Sequence, residues 1–546
     1  MIRKLIATSF ATLILVLFPL LSFSQQLMTT KQRNYPSQEA ITNGGKLATL
    51  INILDLLYLE DVDIEKITDS AINNILSELD PHSSYLTTEE MKQSMEMFGG
   101  NFEGIGIEFN VLNDTLIVVN TIRGGPSEKV GLKSGDRIIK VDTTSVIGIS
   151  KTDVPKYLRG DKGTEVVLTV VRRGVEGELQ FLIVRDKIPI ESRDAAYMIA
   201  PNSAYIKLNR FMSTTTYEFT SALDSLGAKN DIKGLILDLR GNGGGQLDQA
   251  VMLSSQFLPE GSLVVYTEGK SSDRSDLNAL SIGKFIDKPL VVLVDEESAS
   301  ASEIVSGAIQ DWDRGTIIGR PTFGKGLVQR QIPLADTSAL QITVARYHTP
   351  SGRFIQRPYE MGNQEDYYLN FAKRYSSGEL IHPDSVFKDI ADSLKYKTLI
   401  KGRTVYGGGG INPDILVPID TTLTSKYWSQ VIGKSIINDY VADYYDKNSE
   451  KLRRKYDTFE KFFNLYSVDE TIYTDLKDKA TELEIVESEE GEADKLKDFI
   501  MLQLKALIAQ KLWSTSEYFE VINSGSDNLM IQKAIEEIQR LINSGD

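Results

Sequence analysis

The sequence predicts an α/β protein that carries a β-rich domain and helical segments at both ends. Between about residues 200 and 350, apolar runs such as KGLILDLRG and KPLVVLVDE each lead into a helix-like segment. Strand–loop–helix repeats of this kind favour a largely parallel sheet covered by helices. Between about residues 101 and 188, short strand-like runs are separated by Gly, Asp and Asn turns. A chain of 546 residues is too long for one compact core, so several domains are expected.

Composition excludes several classes of function. The formal net charge of −16 argues against nucleic-acid binding, which usually needs a basic surface. The sequence has no cysteine, which rules out disulfides, cysteine nucleophiles and zinc–thiolate sites. A nucleophilic enzyme of this composition would therefore use another residue type, such as serine.

The first residues predict export. An apolar run from about residue 5 to 23 follows Arg3 and Lys4, which is the layout of a secretory signal peptide. We expect residues 1–24 to be the signal peptide and the mature protein to begin near Gln25, in the periplasm or cell envelope. The run is also long enough to remain as an uncleaved membrane anchor.

Changes of pattern along the chain predict four further regions. They are an N-terminal helical region at 25–98, the β-rich domain at 99–188, the α/β core at 189–423 with a polar, tyrosine-rich insertion at about 358–402, and an acidic helical extension at 424–546.

A run of alternating serines and alanines, SASAS, follows one predicted strand and precedes a helical pattern. Ser300 and Glu303 fit a capping box, Ser-x-x-Glu, which alone would explain one serine. A cap position also lies beside free backbone N–H groups and the positive end of the helix dipole, so an oxyanion formed beside Ser300 would meet donors already in place. The helix-cap and nucleophile interpretations are therefore compatible.

A serine nucleophile needs a base, and two residues could supply one. His348, in ARYHTPSGR, is the histidine that falls within the α/β region. Lys325, between two glycines in PTFGKGLVQ, could act if burial or a nearby cation lowers its pKa from about 10.4. For the Gly-Lys-Gly segment taken alone, a surface turn is the favoured interpretation, so the residues alone leave both bases open.

The segment DLRGNGGGQLD places glycines where a predicted strand meets a helix. It lacks the GxxxxGK[ST] and GxGxxG patterns of phosphate-binding loops. A loop that directs backbone amides at an oxyanion is the favoured functional interpretation, and a plain tight turn is the alternative.

Taken together, these segments resemble the carboxy-terminal processing, or tail-specific, protease family, over roughly residues 40–355 and again near 403–418. The resemblance implies that Ser300 is the nucleophile and that Lys325, 25 residues later, is the general base. Gln329 matches a glutamine that orients the lysine in some members of the family.

Further roles follow from the same resemblance. Asp311 matches an aspartate that is implicated in some members. The amide of Ala301 would form the oxyanion hole together with Gly244 or Gly245. The core is expected to have the ClpP/crotonase type of α/β fold, and no metal or organic cofactor is implied.

The β-rich region resembles a PDZ domain, with GIGIEF as its carboxylate-binding loop. A C-terminal carboxylate would bind the loop amides, and the apolar tail would add as an extra strand beside the helix. The expected peptide-binding residues are Gly104, Ile105, Gly106, Ile107, Val154 and Leu158.

The sequence therefore predicts an exported serine endopeptidase that captures apolar C-terminal tails of unfolded or loosely folded proteins. An adaptor protein and a homo-oligomer are both compatible with this prediction, whereas nucleic acid is not an expected partner. Two alternatives remain at this point: a PDZ scaffold protein that does not cut, and a serine hydrolase that uses His348 as its base.

Overall fold

The structure is a computed structural model that describes residues 36–112, 114–122, 124–172, 174–382, 390–423 and 425–544. The predicted signal peptide lies outside these residues. Across the described ranges, no helix is both long and apolar enough to cross a membrane. The chain divides into two compact units: residues 36–93, 240–287 and 294–416, and residues 94–239, 288–293 and 417–544.

An antiparallel sheet lies in the first unit. Its longest strand, Ala339–His348, pairs along one edge with Leu327–Pro333. Along the other edge it pairs with Ser84–Leu86 and then with Leu263–Gly269, beside which Ser272–Asn278 is the outermost strand. The strand around residue 84 and the segment that follows Lys325 thus pair with opposite edges of the same long strand.

The helix predicted after the serine run extends from Ala301 to Asp311, and all of its residues are buried. Helix Gln38–Leu57, by contrast, has no buried residue. The other helices of the first unit are Ile64–Ser77, Leu247–Ser254, Gln364–Ser376 and the 3-10 helix Asp392–Leu394. Its other strands are Thr316–Gly319, Lys395–Lys397, Thr404–Tyr406 and Ile415–Leu416. Helix Thr88–Gly99 begins in the first unit and ends in the second.

The second unit contains the β-rich domain. Its apolar core includes Ile138, Leu168 and Ile183, which are fully buried. The strands of its main sheet, in spatial order, are Ile107–Leu112, Thr115–Thr121, Arg137–Val141, Glu165–Val171 and Glu178–Val184, with Thr144–Ser145 beside the third. Strand Asn101–Gly104 pairs separately with Asp186–Pro189, and the two short helices are Pro126–Lys129 and Val154–Leu158.

The second unit also contains the predicted parallel strands. Ser203–Leu208, Gly234–Asp238 and Leu290–Val294 pair in parallel, and Arg193–Ala200 is antiparallel to the first of them. The apolar runs KGLILDLRG and KPLVVLVDE therefore form neighbouring buried strands, as predicted. Helix Thr215–Gly227 connects two of these strands.

The C-terminal extension is a helical bundle with its own apolar core. Its helices are Lys426–Gly433, Ile436–Lys455, Phe459–Leu465, Glu470–Glu482, Glu492–Lys495, Lys497–Leu512, Thr515–Asn523 and Leu529–Ser544, preceded by the 3-10 helix Thr421–Leu423. The bundle contacts the β-rich domain, where Asn110 Nδ2 donates to Asp439 Oδ1 at 3.0 Å. The predicted fold class, an α/β core with a β-rich domain and helical ends, is confirmed.

Candidate active site

The three serines of the SASAS run have different surroundings. The Ser298 hydroxyl donates to Asp295 Oδ1 (3.1 Å), and the Ser302 hydroxyl donates to the backbone oxygen of Asn242 (2.8 Å). Both side chains are fully buried, and their hydrogen bonds stabilise the conformation of the serine loop. The Ser300 side chain, by contrast, is partly exposed at the start of helix Ala301–Asp311. Of the three, Ser300 is therefore the serine available for chemistry.

Ser300 holds a strained backbone at the start of helix Ala301–Asp311. Its φ of 54° and ψ of −111° lie outside the regions that non-glycine residues usually adopt, and such outliers concentrate at functional sites. The amide of Glu303 donates to the backbone oxygen of Ser300 at 2.9 Å. The Glu303 carboxylate in turn accepts the Ser300 amide at 2.8 Å, so the capping box that the sequence predicted is present.

The Glu303 carboxylate joins the serine loop to the lysine loop. It accepts hydrogen bonds from the amides of Ser300 (2.8 Å) and Lys325 (2.9 Å). It also accepts the Gly324 amide (2.7 Å) and the Thr322 hydroxyl (2.6 Å). Because one buried carboxylate bonds both loops, the positions of the serine and lysine backbones depend on each other.

A second link between the loops is the Tyr347 hydroxyl. It contacts the backbone oxygens of both Ser300 (3.3 Å) and Lys325. Burial raises the pKa of Tyr347 well above its usual value, so the hydroxyl keeps its proton and remains a donor. Together, Glu303 and Tyr347 bring the sequence-predicted nucleophile and base to one place.

The Lys325 side chain is mostly buried. Burial lowers its pKa, while the charges of Glu303 and Asp80 act in the opposite direction. No described residue forms an ion pair or hydrogen bond with its Nζ atom. A lysine in such surroundings loses its proton at a lower pH than a solvated lysine, which is what a general base requires.

The glycine loop packs directly against the serine loop. The backbone oxygen of Asn242 accepts the amide of Ala299 (3.0 Å) as well as the Ser302 hydroxyl. The Gly244 amide is used internally, because it donates to Asn242 Oδ1 at 2.9 Å. Gly245 is therefore the better of the two predicted glycines for an oxyanion donor, alongside the Ala301 amide at the first position of the helix.

Gly244 leaves no space for a side chain. A Cβ atom placed there would lie 2.7 Å from the Ser300 Cβ and 2.9 Å from the Ala301 nitrogen, and φ is +97°. We expect Gly244→Ala to displace the serine and lower kcat/KM for peptide cleavage by about 100-fold or more, given the size of misplacement effects in enzymes. Gly243→Ala is the matched control, because nothing lies within 4 Å of a Cβ at that position. Equal losses in the two variants would contradict this account of the loop.

His348 lies on the opposite face of its strand from Tyr347, as neighbouring strand residues do. Its ring stacks on Tyr266 at 4.7 Å, and its Nδ1 atom is 3.2 Å from the Gly352 oxygen. Its Nε2 atom is 3.3 Å from a Glu268 carboxylate oxygen. These contacts direct the imidazole away from the side of the strand on which Tyr347 meets the serine and lysine loops.

Gln329 contacts a polar network rather than the lysine. Its Nε2 atom donates to the Thr343 hydroxyl (3.2 Å), which in turn donates to Asp80 (2.8 Å). Asp80 also accepts the Ser83 hydroxyl (2.6 Å). Because the Asp80 charge acts on the pKa of Lys325, this network connects Gln329 to the base indirectly.

Asp311 is not brought to the site. It ends the helix that Ser300 begins, which places it about 15 Å along the helix axis at 1.5 Å per residue. Its carboxylate is fully buried and bonds Arg353 Nη2 (2.5 Å) and the Ser351 amide (2.9 Å). The structure gives Asp311 a role in holding the chain after His348, and none of its hydrogen bonds is with Ser300 or Lys325.

The predicted peptide-binding residues of the β-rich domain occupy one region. Gly104 forms an isolated β-bridge with Arg159 at the end of the short helix. The backbone oxygen of Ile105 accepts the amide of Ser127, and that of Gly106 accepts the amide of Ile122. Ile107 begins a strand that is the outermost of its sheet, whereas Val154 and Leu158 are buried in the core. The strand edge beside this loop is thus present, while the two helix residues contribute to packing.

Sequence reasoning missed several of these residues. The local pattern identified Glu303 as a helix cap, but not its bonds to the lysine loop. Asn242, Tyr347 and Asp80 carried no local signal, because the contacts that connect them to the site are with residues distant in sequence. Within the described residues, no cluster of His, Asp and Glu could hold a metal ion.

Comparison with known proteins finds peptidase and PDZ family matches and several related proteases. A model described as peptidase family S41 matches residues 202–369, a PDZ domain model matches 104–182, and a family of unknown function, DUF8443, matches 427–514. The carboxy-terminal-processing protease of Bartonella bacilliformis is 37% identical over 65% of this chain and 81% of its own length. The carboxy-terminal processing protease CtpA of Bacillus subtilis is 36% identical over 64% and 76%. Among solved structures, the photosystem II D1 C-terminal processing protease is 27% identical over 70% of this chain and 89% of its own, with a TM-score of 0.33.

The S41 core and the PDZ domain define the class of this protein as a serine peptidase. The chain belongs to the carboxy-terminal processing protease family.

Proposed function

We propose that this chain is an exported endopeptidase that cleaves with a Ser300/Lys325 dyad and recruits its substrates through the PDZ domain. The observation that carries the proposal is the Glu303 carboxylate, which bonds the backbone of both residues. Such an arrangement keeps a nucleophile and a base at a fixed separation, as covalent catalysis requires.

The reaction follows from the groups at the site. The neutral form of Lys325, which burial favours by lowering its pKa, takes the proton of the Ser300 hydroxyl as the oxygen attacks the scissile carbonyl. The Ala301 amide, with that of Gly245, donates hydrogen bonds to the resulting oxyanion. The charged Lys325 then protonates the leaving amine, and water hydrolyses the acyl-enzyme in a second cycle of the same steps.

The PDZ domain supports capture of a C-terminal tail. Strand Ile107–Leu112 pairs on one side and is the last strand of its sheet, so an extended peptide could pair with its other edge. The loop at 105–106 would receive the terminal carboxylate. Apolar tails are the proposed ligands, because apolar side chains surround the start of this strand.

The test uses the chain from Gln25 onward with an unstructured protein that ends in an apolar tail. We expect wild type to release fragments that mass spectrometry can identify, and Ser300→Ala to release none. Blocking the tail as an amide should raise KM more than it lowers kcat, since the tail binds away from the reacting bond. Tail binding without any cleavage by wild type would instead favour a PDZ scaffold protein.

Export is proposed on Arg3, Lys4 and the apolar run that follows. N-terminal sequencing of the protein recovered from the cell envelope should give a chain that starts near Gln25. A recovered chain that retains Met1 in the envelope would indicate an uncleaved anchor, and a cytoplasmic chain would contradict export.

Burial of Lys325 should cost stability. Because burial lowers its pKa in the folded state, folding releases protons between that lowered pKa and about 10.4, and stability rises with pH through this range. Lys325→Met, which keeps the packing and removes the charge, should raise the melting temperature at pH 7 by about 2–4 °C. The gain should shrink towards pH 10, and the exposed control Lys229→Met should show no gain. A melting temperature of Lys325→Met at or below that of wild type at pH 7 would contradict the buried, partnerless lysine.

A further inference from the structure

Arg357 has an aromatic environment that the mechanism above does not use. Its Cζ atom lies 4.8 Å from the Phe323 ring centroid, 4.6 Å from that of Tyr367 and 5.0 Å from that of Phe371. Two of these rings belong to helix Gln364–Ser376, which lies in the segment predicted as an insertion. The guanidinium is therefore surrounded by three aromatic side chains.

The guanidinium has no carboxylate partner among the described residues, and the acceptor that interacts with it is the Tyr367 hydroxyl. Its Nε, Nη1 and Nη2 atoms are all buried, and none of them makes a hydrogen bond of normal geometry. The neighbouring Tyr367 hydroxyl accepts a hydrogen bond from Gln356 Nε2 at 3.3 Å. Contacts with aromatic rings recover only part of the free energy that is lost when a cation is taken out of water, so a buried cation without an anionic partner remains unfavourable. An anionic ligand would therefore stabilise the Arg357 guanidinium in these surroundings.

The site adjoins the base. The Arg357 amide donates to the backbone oxygen of Gly324, the residue before Lys325, at 2.9 Å. His82 packs edge-on against Tyr367, with the ring centroids 5.4 Å apart, and its Nε2 atom is also buried and unpartnered. Burial, together with the charges of Lys325 and Arg357, lowers the pKa of His82 to about 4, so the imidazole is neutral at pH 7 and can still donate one N–H.

The insertion helix is hydrogen-bonded to the lysine loop. Arg374 donates to the backbone oxygens of Thr322 and Pro321, each at 2.9 Å. Tyr375 on the same helix donates to Glu296 at 3.0 Å. The aromatic side chains around Arg357 are thus fixed in place relative to the loop that supplies the base.

We propose that Arg357, assisted by His82, binds a carboxylate of the peptide substrate next to Lys325 and so gives the protease a preference for acidic substrates at one position. This inference rests on the proposed function. A carboxylate suits the site because its two oxygens match the planar fork of a guanidinium. The carboxylate has two sources in a peptide: an Asp or Glu side chain, or the terminal carboxylate of a short chain.

The test compares quenched-fluorescent peptides that differ by Asp or Asn at one position, placed in turn at each of three positions on either side of the scissile bond. A second pair ends in a free carboxylate or an amide. We expect wild type to favour the carboxylate partner of one pair by at least about tenfold in kcat/KM, as charged hydrogen bonds allow. Arg357→Met should reduce that ratio to about one, and Arg357→Lys should give an intermediate ratio because it retains charge without the fork.

Arg330→Met is the matched control, since Arg330 is exposed on the strand that follows Lys325 and should leave the ratio intact. A preference in the Asp/Asn pairs identifies a side-chain carboxylate, and one in the terminal pair identifies the chain end. A wild-type ratio near one in every pair would overturn the inference, as would a preference that survives in a folded Arg357→Met. If wild type cut no peptide at all, the proposed peptidase reaction itself would fail.

Discussion

Replacing Lys325 by alanine is expected to lower kcat/KM for peptide cleavage by about 10⁴-fold or more, a loss typical of removing a catalytic base. Replacing His348 by alanine should leave cleavage close to that of wild type. The reason is geometric. Glu303 and Tyr347 place the backbones of Lys325 and Ser300 together, whereas the His348 ring stacks on Tyr266.

The comparison needs matched assays. Both variants should be tested with one unstructured substrate, and circular dichroism should show that each is folded. Ser300→Ala sets the background rate. If His348→Ala were inactive and Lys325→Ala active, the site would be that of a conventional serine hydrolase, and the dyad would be wrong.

The second large effect concerns Glu303. Glu303→Gln keeps the size of the side chain but turns an NH₂ group towards four donors, so at least one of them loses its acceptor. An unsatisfied buried donor costs about 1–3 kcal/mol, and more when a charged acceptor is lost, so cleavage should fall by about 100-fold. The same loss should appear with any substrate, because the change displaces the dyad and not a specificity pocket.

Glu297→Gln is the control for this variant. Glu297 lies in the same loop but is exposed, and its replacement should leave cleavage near wild type. Retained activity in a folded Glu303→Gln would contradict the role of the carboxylate as the link between the loops. The pH profile gives a second readout, since burial raises the pKa of Glu303 to about 7. Activity of wild type should fall as pH falls through this value, because the protonated carboxyl accepts fewer hydrogen bonds.

Local sequence predicted those parts of the fold and site that depend on local patterns. The buried runs at 234–238 and 290–294 could be identified as parallel strands because both were continuously apolar and led into helices. Ser300 and Lys325 could be singled out because each lies in a short segment with a family resemblance.

What the sequence left open depends on tertiary contacts. Glu303 was predicted to cap its own helix, and nothing nearby indicated that it would accept amides from residues 21 and 22 positions further along the chain. The sequence also does not show that the Gly244 amide donates to the Asn242 side chain and is therefore not available to an oxyanion. Arg357 gave no sequence signal, because the rings around it come from separate segments.

The most direct test of the dyad is the rate at which a fluorophosphonate labels Ser300 as a function of pH, with the labelled residue identified by mass spectrometry. This rate reports the activation of the serine without substrate binding or product release. The account predicts labelling that rises with pH around a midpoint below 10.4 in wild type and is lost in Lys325→Ala. An unchanged profile in Lys325→Ala would show that another group takes the proton and would contradict the central claim.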